Sequence, residues 1–285
     1  MIDVAIVGGG ISGLSAAFDL QRRGLSVRVL EADRRPGGVI LTERFDGWVI
    51  DGGPDSILVQ KPAGVSLCRE LGIADRLIST LQPRTAFVLR DGRLHQIVEG
   101  SFLGFPIKVS ALARSSLFTL GGRARMAAEV LIPRAEGLGE DESIASFVRR
   151  RFGSEAVDYL AEPLLAGIHA GDVDRLSVAA LFPRLVEAER RTGSVIRAMR
   201  AMHVKPSPQG AFVSLPGGTG ELVDALAAAL TPGTILTNTP VREIRRAGSF
   251  TVVSDSTMLE ARAIILAVPA YVTGHLLREI GRAHV

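Results

Sequence analysis

The chain has 285 residues, 47% of them hydrophobic, with a mean hydropathy of +0.27, which is apolar material for about two domains with a sizeable core. Its 33 basic and 30 acidic residues leave a formal charge of +3, too small an excess on a chain of this length to argue for a nucleic acid partner. A single cysteine excludes an internal disulfide and fits a reducing, cytoplasmic setting, and no apolar run reaches the about 20 residues that span a bilayer.

The opening run Val4-Ala-Ile-Val7, Gly8-Gly-Gly10, Ile11-Ser-Gly13 reads as a strand, a glycine turn and a helix with an apolar face of Ile11, Leu14, Ala17 and Phe18. Gly24 ends the helix, and a second strand, Val27–Leu30, leads to Glu31. The order and spacing are those of a dinucleotide-binding βαβ unit. Gly8 permits the tight turn, Gly10 lets backbone approach a pyrophosphate, and Gly13 lets the helix lie close on the strand. The phosphate charge then meets the helix's free N–H groups and positive dipole end. Glu31 is placed to accept hydrogen bonds from a ribose hydroxyl. With a strand beginning within a few residues of Met1, no secretory signal is expected.

Two more glycine-rich turns follow, at Arg34–Gly38 and at Gly47–Ser56. So close to a dinucleotide site, they suggest backbone wrapped round a larger cofactor than a nicotinamide enzyme requires, which favours a flavin. Ala63–Leu71 is predicted as a short helix ending at Gly72, with Cys68 as a buried core thiol. Ala86–Arg90 and Arg93–Val98 flank Asp91-Gly92, the signature of a two-residue hairpin turn. From Ser110 to about Phe182 the pattern is helical, Ser143–Gly153 most clearly. Arg190–Met202 continues helically into a loop at Lys205-Pro-Ser-Pro208. Alternating α/β character returns with the strand Ala211–Leu215, the turn Pro216–Gly220 and the helix Glu221–Leu230. Strands are predicted at 234–236, 241–245, 250–253 and 263–267, then an apolar helix from Tyr271.

The hairpin and helices therefore read as an insertion into a nucleotide-binding domain. The expected segments are 1–80 and 206–273 for that domain, 81–109 for the hairpin region, 110–205 for the helical insertion, and 274–285 for the start of a return to the substrate region. The basic clusters at Arg114, Arg123 and Arg125, at Arg149–Arg151 and at Arg190-Arg191 are expected on solvated helix faces, the alternatives being an anionic membrane surface or an acidic substrate. Ser101–Arg134, with Phe102, Leu103, Phe105, Leu112, Leu117, Phe118 and several arginines, has a composition that suits either a membrane interface or core packing.

Taken together, Gly8-Gly-Gly10 with Gly13, Glu31, Arg35-Pro-Gly-Gly38 and Gly52-Gly-Pro54 resemble the flavin-dependent amine oxidase superfamily. Phe147–Gly153, Glu162–Asp172, Leu176-Ser177, Phe182-Pro183, Phe212–Gly218 and Asn238–Val241 are similar, more narrowly, to its porphyrinogen oxidases. The resemblance covers nearly the whole chain. It implies an α/β fold: a Rossmann-like FAD-binding domain of the amine oxidase type, with an inserted β-hairpin and a helical region for substrate and membrane contact. FAD is the implied cofactor. Gly8, Gly9, Gly10, Ile11, Ser12 and Gly13 would hold its pyrophosphate, Glu31 and Ala32 the adenosine ribose, and Arg35, Gly38 and Val39 the next turn along it. Gly53, Pro54, Asp55 and Ser56 would approach the flavin end and Val241 the adenine. Arg35 reads equally as a solvated arginine, and Val241 as a core strand residue.

The resemblance implies a porphyrinogen substrate, protoporphyrinogen or coproporphyrinogen, losing six electrons in haem biosynthesis. Dioxygen would be the acceptor and hydrogen peroxide the by-product. The protein would mainly position the ring and exclude water, so no catalytic acid–base pair is nominated and no metal is expected. Small residues in Pro163–Gly171, Gly167 and Gly171 among them, suit the approach of a broad flat ligand, and His169 reads as a hydrogen-bonded loop residue. Mitochondrial and plant members carry a propionate-binding arginine in the hairpin strand. Ala86 occupies that position here, and Arg84 would project from the same strand face. Members of the family also run well beyond Pro269, so a C-terminally truncated chain is expected. The alternatives are another flavin amine or carotenoid oxidase, or a non-catalytic FAD-binding fragment.

Overall fold

The computed structural model describes residues 1–81, 85–97, 101–102, 105–106, 109–135, 141–166, 171–201 and 210–278. They fall into two compact units, Met1–Thr80 with Ser207–Val285, and Leu81–Pro206. The first unit opens with β1 (Ile2–Val7), α1 (Ile11–Arg22), β2 (Val27–Leu30), β3 (Thr42–Phe45), β4 (Trp48–Asp51), β5 (Ile57–Leu58), α2 (Pro62–Glu70) and β6 (Ile78–Ser79). The second holds β7 (Phe87–Arg90), β8 (Arg93–Gln96), β9 (Ser101–Phe102), β10 (Phe105–Pro106), α3 (Val109–Arg114), α4 (Leu120–Ala127), α5 (Ile144–Phe152), α6 (Ser154–Ala156), α7 (Val178–Leu181), α8 (Pro183–Thr192) and α9 (Val195–Ala201). The chain returns to the first unit as β11 (Phe212–Ser214), α10 (Gly220–Ala229), β12 (Ile235–Leu236), β13 (Val241–Ala247), β14 (Ser249–Ser254), β15 (Met258–Leu266) and α11 (Ala270–Leu276).

The first unit is built on a six-stranded sheet in the order β12-β2-β1-β15-β14-β13. Its first four strands are parallel, with Val4 opposite both Val27 and Ala263, and β14 and β13 are antiparallel. A central parallel strand is covered on both faces and so reads as a continuous apolar run, as Val4–Val7 does. Val4 and Ile6 pack with Leu14, Phe18, Val223 and Leu226 of α1 and α10. Ala5 and Val7 pack in the opposite layer with Val252, Ala261 and Leu276. Residues 274–276, expected at the start of a separate return segment, thus belong to α11, because burying Leu276 ties that helix to this sheet. A smaller antiparallel sheet, β5-β11-β6, carries Val213 opposite Ile57 and Ser79. Cys68 of α2 is fully buried, and burial pushes its thiol above the ordinary range.

The Gly47–Ser56 segment, expected only as turn, begins inside the β3–β4 hairpin, paired from Thr42↔Asp51 to Phe45↔Trp48. The alternating side chains of Thr42-Glu-Arg-Phe45 supply the strand that the glycines obscured.

In the second unit β7 and β8 close through Asp91 (φ 50°) and Gly92 (φ 74°), the two positive φ values a tight hairpin turn needs. Hydroxyls of Thr119, Ser143 and Ser177 cap α4, α5 and α7 by accepting from the N–H groups of Gly122, Ser146 and Ala180. Val157–Ala166 is a π-helical stretch with Pro163 inside it. Leu112, Leu117 and Phe118 are buried in this unit's core, while the side chains of Phe102, Leu103 and Phe105 lie outside the described residues. Among the described residues no helix is long and apolar enough to cross a membrane.

Two expectations fail here. The helix predicted through Arg190–Met202 breaks at Gly193, whose φ of 70° ends α8, and α9 begins afresh at Val195. The arginine run Arg149–Arg151 is not a solvated face, because its third member points into the core. Arg151 is 0% exposed and pairs with Glu129, also 0% exposed. Its Nε lies 2.9 Å from Glu129 Oε1, and its other donors reach the carbonyls of Ile132 (3.0 Å), Pro133 (3.2 Å) and Gly193 (2.9 Å). Glu129 in turn accepts from the N–H of Val195 (2.8 Å), the N–H of Ile196 (3.3 Å) and the hydroxyl of Ser194 (2.5 Å), at the start of α9. Arg150 bridges Glu142 and Glu189 beside it.

Breaking one side of a buried pair strands the other charge. Arg151→Met is therefore expected to lower stability by about 3–5 kcal/mol, read from the urea midpoint followed by circular dichroism. An unmoved midpoint would show that the pair carries no such penalty. Burial pushes the Glu189 carboxyl up, but the hydrogen bonds and charges of Arg150, the Ala135 N–H and Arg151 outweigh it and hold the carboxyl below its usual range. A carboxylate so depressed stabilises fully above its unfolded value of about 4.3, and that contribution is lost as pH falls through the folded value. Hydrogen-exchange protection factors at α5 and α8, corrected for the intrinsic exchange rate at each pH, should thus fall on acidification below about pH 4.3, with a weaker pH dependence in Glu189→Gln.

Candidate functional site

The C-terminal ends of β12, β2, β1 and β15 meet at the Gly8 turn. The N–H of Gly8 donates to Leu30 O (2.9 Å), that of Glu31 to Leu236 O (2.9 Å) and that of Ala267 to Val7 O (2.8 Å). In open parallel sheets this end is where ligands bind. Gly8 has φ 103°, and a Cβ there would lie 2.6 Å from Ala267 O. A Cβ at Gly13 would overlap the carbonyl oxygen of Gly8. Both glycines are thus needed by the fold itself.

Gly10 is different. A Cβ there would find nothing nearer than the Cα of Gly38, at 4.0 Å, so protein packing does not demand a glycine. Gly10 N-caps α1 without a side chain, and the first turn holds no acidic residue, leaving the positive helix end to an anion. A second backbone segment faces it: the N–H of Gly37 donates to Gly9 O at 2.7 Å, and a Cβ on Gly38 would stand 3.2 Å from the Cα of Gly10. Two side-chain-free backbones side by side at a helix N-terminus fit a pyrophosphate.

Glu31, 7% exposed, accepts from the N–H of Gly9 (2.6 Å) and of Asp33 (2.8 Å), and each oxygen keeps a lone pair for a ribose hydroxyl. Ala32 is exposed beside it. The segment Asn238–Val241 lies alongside, the N–H of Thr239 reaching Glu31 O (2.8 Å) and that of Asn238 reaching Asp33 O (2.9 Å). Val241 itself packs partly buried in the sheet's second apolar layer. Ile11 is half-buried and Ser12 exposed on α1's first turn.

Arg35 turns back on its own loop. It donates to the carbonyls of Pro36 (3.1 Å), Ile40 (2.9 Å) and Gly38 (2.8 Å), and so holds the backbone that faces Gly10. Val39 is 77% exposed, and a Cβ on Gly53 would overlap its carbonyl, which joins this loop to Gly53–Ser56.

That last segment is held by residues the sequence reading did not single out. The Asp51 carboxylate accepts from the Thr42 hydroxyl and from the N–H of Thr219 (3.1 Å). The Thr219 hydroxyl donates to Pro54 O (2.7 Å), the Ser214 hydroxyl to Asp55 O (2.7 Å), and Thr42 Oγ1 accepts from the N–H of Gly220 (2.8 Å). The only sequence signal is an Asp just before Gly52-Gly53 and a Thr-Gly opening a helix, 168 residues apart.

Ala86 is exposed and Gly171 half-buried, both in the second unit. Ala86 accepts from the N–H of Ile97 (2.9 Å), and Gly171 faces the Leu176 side chain. Arg84, Gly167 and His169 lie outside the described residues.

A fold with this backbone cradle defines a flavin-binding α/β protein of the amine oxidase type. The chain belongs to the flavin containing amine oxidoreductase family, whose model matches residues 11–283. It is 33% identical to a coproporphyrinogen III oxidase of Bacillus subtilis, covering 97% of this chain and 62% of that protein. It is 30% identical to the chloroplastic protoporphyrinogen oxidase of Nicotiana tabacum, covering 99% and 53%. A crystal structure from Exiguobacterium sp. 255-15, provisionally named a protoporphyrinogen oxidase, superposes with a TM-score of 0.82 at 33% identity, over 98% of this chain and 62% of the other. The chain thus spans between about half and three-fifths of the relatives it matches. FAD is the cofactor of this family, and the cradle fits it.

The two kinds of glycine should separate by substitution. Gly10→Val should keep the thermal midpoint within a few degrees and lose FAD binding by at least ten-fold in a fluorescence-quenching titration. Gly13→Val should give little folded protein. Unchanged FAD affinity in Gly10→Val would place the pyrophosphate elsewhere.

Proposed function

We propose that the chain is the cofactor-holding part of an FAD-dependent oxidase that converts a porphyrinogen to its porphyrin in haem biosynthesis, with dioxygen as acceptor and hydrogen peroxide as by-product. The observation that carries the reading is the close approach of two side-chain-free backbones, Gly10 and Gly38, at the N-terminus of α1 beside Glu31, in a chain whose relatives bear porphyrinogen oxidase names. Coproporphyrinogen III is the favoured substrate. The Bacillus relative's name supports it, and so does Ala86 in place of the hairpin arginine of mitochondrial and plant members, the Nicotiana relative being named a protoporphyrinogen oxidase.

Bound FAD would supply the two-electron oxidation. The chain's own residues bind and orient. The N-terminal turn of α1 and the Gly37-Gly38 backbone take the diphosphate, and Glu31 takes ribose hydroxyls with oxygens already aimed by Gly9 and Asp33. Gly53–Ser56, fixed from behind by Asp51 and Thr219, forms the floor toward the ring system. Apart from the Glu31 carboxylate, which Gly9 and Asp33 already hold, these contacts would be made by backbone whose geometry is set before the cofactor arrives, so little ordering entropy is lost on binding.

Anaerobic mixing of the flavin-loaded, full-length gene product with coproporphyrinogen III should bleach the visible flavin band, and air should restore it with porphyrin fluorescence and peroxide. Faster bleaching by protoporphyrinogen would reverse the substrate preference. A band unchanged by either compound would sink the reading.

A further inference from the structure

The β7–β8 hairpin sets two arginines against each other. Arg90 and Arg93 are register partners on the last rung before the Asp91-Gly92 turn. Partners on one rung project to the same face, where like charges repel. His95, two residues beyond Arg93, shares that face, and its Nδ1 lies 3.0 Å from Ser116 Oγ. The opposite face carries Phe87, Leu89 and Leu94, all more than half exposed, so the hairpin sorts its cations to one side. There Arg90, Arg93, His95, Ser116 and Thr119, with the Asp91 carboxylate at the turn among them, line a cleft of about 440 Å³.

The protein's own groups account for one of these charges. The Arg90 guanidinium stacks 4.1 Å over the Tyr159 ring, donates to Leu117 O (2.5 Å), and pairs with Asp91 (3.2 Å) and Glu155 (3.8 Å). Glu155 is already engaged by the N–H (2.9 Å) and hydroxyl of Thr119. The Arg93 side chain has no ion pair or hydrogen bond among the described residues. A fold that gained nothing from a second cation on this rung would be expected to place a neutral or acidic residue there.

We infer that the cleft binds one oxyanion, a carboxylate or a phosphate, gripped by Arg93 and His95 against the fixed wall of Arg90. The planar guanidinium fork suits either group. Its charge would answer Arg93, the cation that no side chain among the described residues pairs. The site belongs wholly to the second unit and does not depend on the flavin reading.

The test is a proton NMR titration of the full chain in low salt with inorganic phosphate, with succinate, and with phosphatidylglycerol vesicles in a parallel sedimentation assay. His95 is one of five histidines, and its ring resonance is assigned by its loss in His95→Gln. Phosphate or succinate should move that resonance saturably, and Arg93→Gln, an exposed substitution away from the core, should weaken the apparent affinity at least five-fold. Vesicle binding that disappears in Arg93→Gln assigns the oxyanion to a lipid headgroup. Binding of the soluble probes alone assigns it to a small molecule. A His95 resonance that no probe moves, or an Arg93→Gln titration matching the unsubstituted protein, overturns the inference.

Discussion

Backbone packed directly on backbone at the exit of β1 is the constraint on which the first unit rests. At Gly8 and Gly13 the chain turns from strand to helix with no room for a methyl group against Ala267 O or Gly8 O. Only then can α1 lie on the sheet closely enough for Leu14, Ala17 and Phe18 to join Val4 and Ile6 in one layer. The same turn supplies Gly9 O to Gly37 N–H and Gly9 N–H to Glu31. A side chain at Gly8 or Gly13 would thus lose helix packing, the second loop and the acid together. Dispersion and burial reward such close approach continuously, whereas steric overlap forbids it abruptly, so the tolerance is one-sided.

The second unit solves its core by the opposite means. There a fully buried charge replaces the missing side chain as the organising element. Arg151 and Glu129 gather three separated stretches, 129–133, 151 and 193–196, onto one set of hydrogen bonds, and no described buried side-chain polar atom is left without a partner. Such a pair adds little net stability over an apolar core of the same shape. Its effect is to make every alternative packing expensive, since any register that parts the two leaves an ion in the dark. The break at Gly193 follows from this. Continuing α8 would consume the carbonyl and N–H groups that Arg151 and Glu129 bind.

How much of this was legible in the sequence depends on range. The βαβ unit, the Asp91-Gly92 hairpin and the helix between Ser143 and Gly153 are written in local periodicity and turn chemistry, and each appears with ends shifted by a residue or two. The β3–β4 hairpin was masked by the glycines that flank it. Arg151 looked like its neighbours because its partner lies 22 residues away, and nothing in a run of three arginines says which one turns inward. Asp51 and Thr219 were hidden for the same reason on a larger scale, being joined only once the chain has left the first unit and returned.

The contrast between contact and support gives the cofactor site its character. The surface turned toward the cradle at Gly9, Gly10, Gly38 and Gly53 is nearly all main chain, which has no rotamers to freeze when a ligand binds. Main chain in loops holds a shape only if something behind it does. Here Arg35 spends its guanidinium on three carbonyls of its own turn, while Asp51, Thr42 and Thr219 lock the next one from the far end of the sequence. Fingerprint residues advertise where a diphosphate can lie, but the rigidity that makes the place worth occupying comes from polar side chains outside the fingerprint. A chain could keep every glycine and still lose the geometry by relaxing either brace.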